Sequence, residues 1–192
     1  KIGHDKHLAK DVNKIIYGKI PDKKIFSSED VIFGNPSSNV AIAFVYNWKA
    51  DKAPDNIREL FHKVSNYAAA TGYWRTTNGG KYAFANILSN PNINKLVVLV
   101  FDAEDNGHLL VNALRNLWIN GVNKNGIIIN SKSPNPKFEG LSNTALDRLT
   151  KQADLIILKN IKELEQVEEL IKAQIQEPEN AVPVENFKDI GF

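Results

Sequence analysis

The sequence predicts a single α/β domain, a mainly parallel sheet held between helices in three layers, of Rossmann-like or flavodoxin-like type. Three observations carry that reading. Short aliphatic runs recur along the chain, each run is continuously apolar rather than alternating, and stretches of helical period separate them. Strands covered on both faces read this way. Strands that alternate with helices need right-handed crossovers and a parallel sheet.

Taken in order, residues 1–30 read as a basic helical extension, with a helix near Leu8–Tyr17. Lys1 to Lys24 carries seven Lys against three Asp. The α/β ligand-binding domain is expected over residues 31–176. Its first strand is expected at Val40–Tyr46 and is followed by a helix over Asp55–Ala70, where Ile57, Leu60, Phe61 and Val64 form one stripe. A second helix is expected at Gly79–Leu88 through Tyr82, Ala83 and Ile87. The strand Lys95–Phe101 comes next, then a helix over His108–Trp118 presenting Val111, Leu114 and Trp118. A third strand is expected at Gly126–Asn130. After it come a helix at Leu141–Ala153 (Ala145, Leu146, Leu149), a strand at Asp154–Leu158 and a last helix with Leu164, Val167, Leu170 and Ile171. The expected order is β-α-α-β-α-β-α-β-α. Residues 177–192 read as a C-terminal arm or edge strand. Asn78-Gly79, Asn106-Gly107 and Asn125-Gly126 read as turn chemistry.

Composition removes several functions. The 192 residues include 24 basic and 22 acidic side chains, so a net charge of +2 supplies no general field for nucleic acid. The absence of cysteine excludes disulfides, thiolate metal sites and cysteine nucleophiles. No apolar run approaches the ~18–20 residues needed to span a bilayer, so the expectation is a cytoplasmic protein without a membrane segment. The chain has no Gly-x-Gly-x-x-Gly, Walker loop, His-Glu-x-x-His or Gly-x-Ser-x-Gly elbow.

Chemistry is expected outside the carboxyl ends of the strands, where parallel sheets bind ligands. The loop Phe101-Asp-Ala-Glu-Asp-Asn-Gly-His108 ends a buried strand in three acids and places His108 in the first turn of a helix. Partial positive charge at a helix N-terminus disfavours imidazolium, and a neutral imidazole is what a metal centre takes as an axial ligand. Asp102, Glu104 or Asp105 could fix the ring tautomer, or could instead favour the protonated ring. The other reading is a helix-start histidine bonded to its own loop. In Tyr73–Gly80, Thr76, Thr77 or Asn78 could cap a helix, while Trp74 and Arg75 either clamp a planar anionic ligand or simply pack. The loop Ser131-Lys-Ser-Pro-Asn-Pro136 is stiff and polar, so Ser131 and Ser133 either line a pocket or belong to a crossover. His4, His7 and His62 are assigned no role.

A resemblance rests on Gly34-Asn-Pro-Ser-Ser-Asn-Val-Ala-Ile-Ala43, Thr77-Asn-Gly-Gly-Lys81, Ala85-Asn-Ile-Leu-Ser-Asn-Pro-Asn-Ile93, Gly107-His108 and Asn120-Gly-Val-Asn123. In this order they resemble the cytoplasmic domain of the A subunit of tetrahydromethanopterin S-methyltransferase, the corrinoid-carrying subunit of the methyl-transfer complex of methanogenic archaea. The resemblance covers roughly Phe33 to Val167. It implies an α/β fold that binds a cobamide, with His108 as the lower axial cobalt ligand and Glu104, Asn106 and Gly107 beside it. Thr77, Asn78, Ser131 and Ser133 are expected on the same pocket. The resemblance also implies other methyltransferase subunits or one-carbon enzymes as partners, and a methyl carrier rather than a self-contained enzyme. Where the family shows Thr-Gly-Gln after the histidine, this chain has Leu110-Val111-Asn112, a bulky pair expected to narrow the groove a corrin ring needs. Two other functions are weighed with it: a pterin- or nucleotide-binding accessory of one-carbon metabolism, and a non-catalytic homologue that has lost the cofactor.

Overall fold

The computed structural model describes residues 31–45, 52–101, 106–159, 161 and 163–176. The expected N-terminal helix and the C-terminal arm lie outside the described residues. Five strands form one sheet: β1 (Val31–Phe33), β2 (Val40–Val45), β3 (Ala70–Trp74), β4 (Lys95–Val100) and β5 (Asp154–Leu158). Their spatial order is β1-β3-β2-β4-β5, with β1 antiparallel to β3 and every other pair parallel. Among the described residues five α-helices cover it: α1 (Asp55–Ser65), α2 (Gly80–Ser89), α3 (Asn106–Asn120), α4 (Asn143–Gln152) and α5 (Leu164–Lys172). This is the single-domain, three-layer Rossmann-like architecture the aliphatic runs imply.

The pleat explains the layers. Along β2, Ala41, Ala43 and Val45 point to a core shared with α2, α3 and α4, while Val40, Ile42 and Phe44 point to one shared with α1 and α5. Both faces are dry, so β2 is buried at all six positions. Burial of each large aliphatic or aromatic side chain stabilises by about 1.5–3 kcal/mol. On the α1–α5 side, Glu168 is buried and bridges the Lys63 and Lys172 ammonium groups, the latter 2.9 Å from Oε1. That oxygen has no aligned hydrogen-bond donor, so the Lys172 contact is an ion pair held by charge.

Three elements differ from the sequence expectation. The helix expected to reach Ala70 stops at Ser65, because the chain turns there to begin a strand. The Ala69 N–H donates to Val40 O at 2.8 Å, and the Gly34 and Asn35 N–H groups donate to Ala69 and Ala68 O. A Cβ at Gly34 would stand 2.0 Å from Ser65 O, so only glycine admits this approach. The strand that follows, β3, takes up Ala70–Trp74, the first part of the stretch 71–79 expected as a loop leading into the next helix. Its Ala70 and Gly72 carry little apolar bulk, and that hid it from a pattern reading. The third difference is Gly126–Asn130, which is not a sheet strand. Gly126 and Asn130 adopt φ of 76° and 62°, so the run is bent at both ends and pairs only through the isolated bridge Val122–Ile128. Ile128 is nevertheless 2% exposed, because it plugs the core beside α3 and α4.

The stretches that carry most of the resemblance, 34–43 and 85–93, meet at the amino edge of the sheet. Asn90 Nδ2 donates to Pro36 O at 2.9 Å, and Asn92 Nδ2 donates to the same oxygen at 3.2 Å. Asn39 Nδ2 donates to Asn94 Oδ1 and Gln174 O, while its Oδ1 accepts from Gln176 N–H. Gln152, the last residue of α4, donates through Nε2 to Ile87, Asn90 and Ile93 O. These amides satisfy backbone groups where strands and helices end, which is a structural task.

Candidate functional site

The parallel strands run β3-β2-β4-β5 across the sheet, so the chain reverses direction between β2 and β4. Doubly wound sheets bind ligands outside the carboxyl ends of the strands at such a reversal. The segment leaving β4 enters α3, whose second residue, Gly107, is buried and whose third, His108, is exposed. Spacings of three and four put His108, Val111, Asn112 and Arg115 on one stripe of α3. The stripe forms one wall of an open cleft of about 570 Å³. Leu109 lines it as well, and Lys132 and Lys159 enter from the loop after α3 and from the carboxyl end of β5.

Local bonds hold the wall in place. The Lys132 N–H donates to Asn112 Oδ1 at 2.7 Å, which fastens the 131–136 loop to the middle of α3. Ser131 Oγ accepts from the Ser133 N–H at 3.2 Å, and Ser133 Oγ donates to Asn135 O at 3.2 Å. Thr77 Oγ1 donates to the same Asn135 oxygen at 3.4 Å, which links the loop after β3 to the loop after α3. Ile128 N–H closes the base of the loop on Pro136 O at 2.7 Å.

The expected site residues are therefore divided. His108 lies in the cleft. Thr77, Ser131 and Ser133 spend their hydroxyls on the loops that shape it and do not line it. Asn78 is exposed in a single 3-10 turn, Thr77–Gly79, that has no side-chain cap. Asn106 opens α3, and Glu104, with Asp102 and Asp105, lies outside the described residues. Trp74 is not a stacking platform: it is 4% exposed, donates Nε1–H to Thr76 O at 2.7 Å and meets Phe84 edge-on at 5.2 Å. Of the bulky pair expected to narrow the groove, Leu110 is 1% exposed, packs in the core and does not line the cleft, whereas Val111, 2% exposed, lines it between His108 and Asn112. Asn112, Lys132 and Lys159 fall in stretches the sequence reading marked but were given no role there, and Arg115 was not singled out, although His-x-x-Val-Asn-x-x-Arg at helical spacing was a readable signal for Asn112 and Arg115.

The cleft is cationic. Its lining holds Arg115, Lys132, Lys159 and one imidazole, and no carboxylate among the described residues. No group of three or more His, Asp or Glu that could hold a bare metal ion occurs among the described residues. A second, smaller cavity of about 240 Å³ lies between β3 and α2. Ala41, Ala43, Ala70, Gly72 and Ala83 line it, and Arg75 stands at its rim. It is mainly apolar and contains no imidazole, so the chemistry is assigned to the α3 cleft.

Fold and cleft together define a Rossmann-like α/β domain with an open, cation-lined cleft at the carboxyl edge of its sheet. The chain belongs to the family of the A subunit of tetrahydromethanopterin S-methyltransferase, whose family model matches residues 27–188. It is 27% identical over 169 residues to the A subunit of tetrahydromethanopterin S-methyltransferase from Methanocaldococcus jannaschii, covering 87% of this chain and 65% of that one. It is also 27% identical over 144 residues to the A subunit of the putative methyltransferase Mtx from Methanosarcina acetivorans, covering 74% and 66%. The A subunit of tetrahydromethanopterin S-methyltransferase from Methanococcus maripaludis is 27% identical over 158 residues, covering 81% and 62%. The chain thus spans less than two thirds of the length of each of these relatives. Among the described residues no helix is long and apolar enough to cross a membrane.

Proposed function

We propose that this domain binds a cobamide at the α3 cleft, with the His108 imidazole as the lower axial ligand, and serves as a methyl carrier. The observation that carries the reading is an exposed imidazole at the start of α3, at the reversal point of the sheet, in a cleft whose lining among the described residues holds no other histidine and no carboxylate. A lone imidazole is too few donors for a bare ion, but it suits a metal whose other positions a macrocycle already fills. The donor set and the open cleft therefore fit the group. When bound, a corrinoid supplies a cobalt centre that takes up and releases a methyl group. The chain's own part is to orient the imidazole. α3 carries the imidazole into the cleft, and the Asn112–Lys132 bond holds the neighbouring loop on the same cleft. The relatives are named as subunits, which supports other methyltransferase subunits as partners of this domain.

The test is the absorption spectrum of protein incubated with hydroxocobalamin and then desalted. A red, imidazole-coordinated species in the wild type, absent in His108→Ala and kept in His62→Ala, is the expected result. A His108→Ala protein with the parent spectrum would refute the assignment.

A further inference from the structure

We propose that Arg115, Lys132 and Lys159 form a phosphate-ester subsite in the α3 cleft, and that its occupant is the phosphodiester of the bound cobamide. This rests on the corrinoid reading above and extends it to residues outside the motifs that carry the family resemblance.

Three cations from three separate segments converge on one cleft, and its lining offers no carboxylate among the described residues to neutralise them. Ion pairs at Asp55–Arg58, Asp147–Lys151, Lys63–Glu168 and Lys172 with Glu168 and Glu169 engage other residues. Like charges repel, so cations gathered along one cleft are relieved by a bound anion. A planar guanidinium and two ammonium groups lining one cleft suit a tetrahedral phosphate, which accepts forked and point contacts together. Two of the three cations are also placed by structure. Arg115 sits on a helix of 15 residues, and the Lys132 backbone is pinned to Asn112.

Spacing links the subsite to the imidazole. His108 and Arg115 are seven residues apart on α3, about 10 Å along the axis at 1.5 Å per residue. A cobamide carries its phosphodiester on the same lower face as the axial ligand, tethered through a short amino-alcohol arm. An imidazole at one end of the stripe and cations two turns further on would engage both features of one molecule.

The experiment compares hydroxocobalamin with hydroxocobinamide, which has the corrin ring but lacks the nucleotide and its phosphodiester bridge. Affinities are measured by absorption titration at fixed low salt for wild type, Arg115→Gln, Lys132→Gln, Lys159→Gln and the triple variant. Because all three residues are exposed, the variants should fold, and circular dichroism verifies it. The expected wild type prefers hydroxocobalamin by about ten- to hundredfold, the range for hydrogen bonds to charged groups. Each single variant erodes that preference and the triple variant abolishes it, with cobinamide affinity unchanged. His108→Ala loses the imidazole-coordinated spectrum but keeps the preference, so the two assignments fail separately. A triple variant that retains the wild-type preference overturns the subsite. If wild type binds neither corrinoid, the corrinoid reading fails and titration with inorganic pyrophosphate decides the subsite. Pyrophosphate binding lost in the triple variant sustains a phosphate site fed by another ligand, and absence of pyrophosphate binding overturns it.

Discussion

Gln152 gives a sharp test of whether the amino-edge amides are structural. Its Nε2 is 2.8 Å from Ile87 O and 3.1 Å from both Asn90 O and Ile93 O. Three carbonyls surround one NH2 group, so its two protons are shared among them and the amide orientation is determined. Gln152→Ala removes both donors. At about 0.5–1.5 kcal/mol net per bond, the loss is about 2 kcal/mol. It stops there because Ile87 O and Asn90 O each keep a backbone donor, from Asn90 and Ile93 N–H. For a chain of this length, that lowers Tm by about 4–8 °C. Gln152→Glu keeps the shape but brings a carboxylate against three carbonyl oxygens, so at neutral pH it should cost more than alanine. Carbonyl dipoles raise that carboxyl's pKa in the folded state. The extra penalty is therefore present above the unfolded value and fades as pH falls and protonation restores one donor. Thermal unfolding followed by circular dichroism at pH 7 and pH 4 measures both effects. Equal melting of the Ala and Glu variants at pH 7, or no change from wild type in either, would refute the reasoning.

Two further outcomes follow from buried polar groups. Lys63 first, then Lys172, hold the Glu168 carboxyl below the usual range, and Glu168 holds both lysines above theirs. A depressed carboxylate contributes stability that is present above its unfolded pKa of about 4.3 and is lost as pH falls through the folded value. The raised lysines contribute below about 10.4 and lose that contribution as pH rises through their folded values. The α1–α5 packing should thus be firmest between these limits, and Glu168→Gln should flatten the acid side of a urea-midpoint profile. An unchanged acid slope in that variant contradicts the pairing. Thr71, fully buried in β3, leaves its hydroxyl without a partner, so isosteric Thr71→Val should raise stability by up to about 1 kcal/mol. A fall in Tm in the same scan would mean that the hydroxyl is bonded.

The motif that identified the family and the site that supports its function lie at opposite ends of the strands. Ser89-Asn-Pro-Asn-Ile93 is distinctive in sequence because it closes α2, turns and leads into β4 while the Asn90 and Asn92 amides donate to Pro36 O, Ser89 Oγ donates to Asn86 O and Asn90 Oδ1 accepts from the Asn92 N–H. His108 belongs to the opposite edge. The resemblance is therefore strong evidence of fold and family, and it bears on the cleft only through Gly107-His108.

Local pattern alone determined what depends on one segment. Val40–Val45, Lys95–Val100 and Asp154–Leu158 are strands because continuous aliphatic runs need cover on both faces. The stripes at Ile57–Val64 and Ala145–Leu149 are helices because their apolar period is helical. Tertiary structure decided the rest. Ala70–Trp74 is a strand because β2 offers it a parallel edge, although its own Gly and Ala argue weakly for one. Ile127–Ile129 is apolar enough for a strand, but left-handed residues at both ends let it only plug the core. Arg115, Lys132 and Lys159 meet because the crossover after α3 climbs back to the carboxyl edge and is tied to Asn112. Charges tens of residues apart acquire a shared field only when the chain brings them to one cleft, and sequence separation does not encode that.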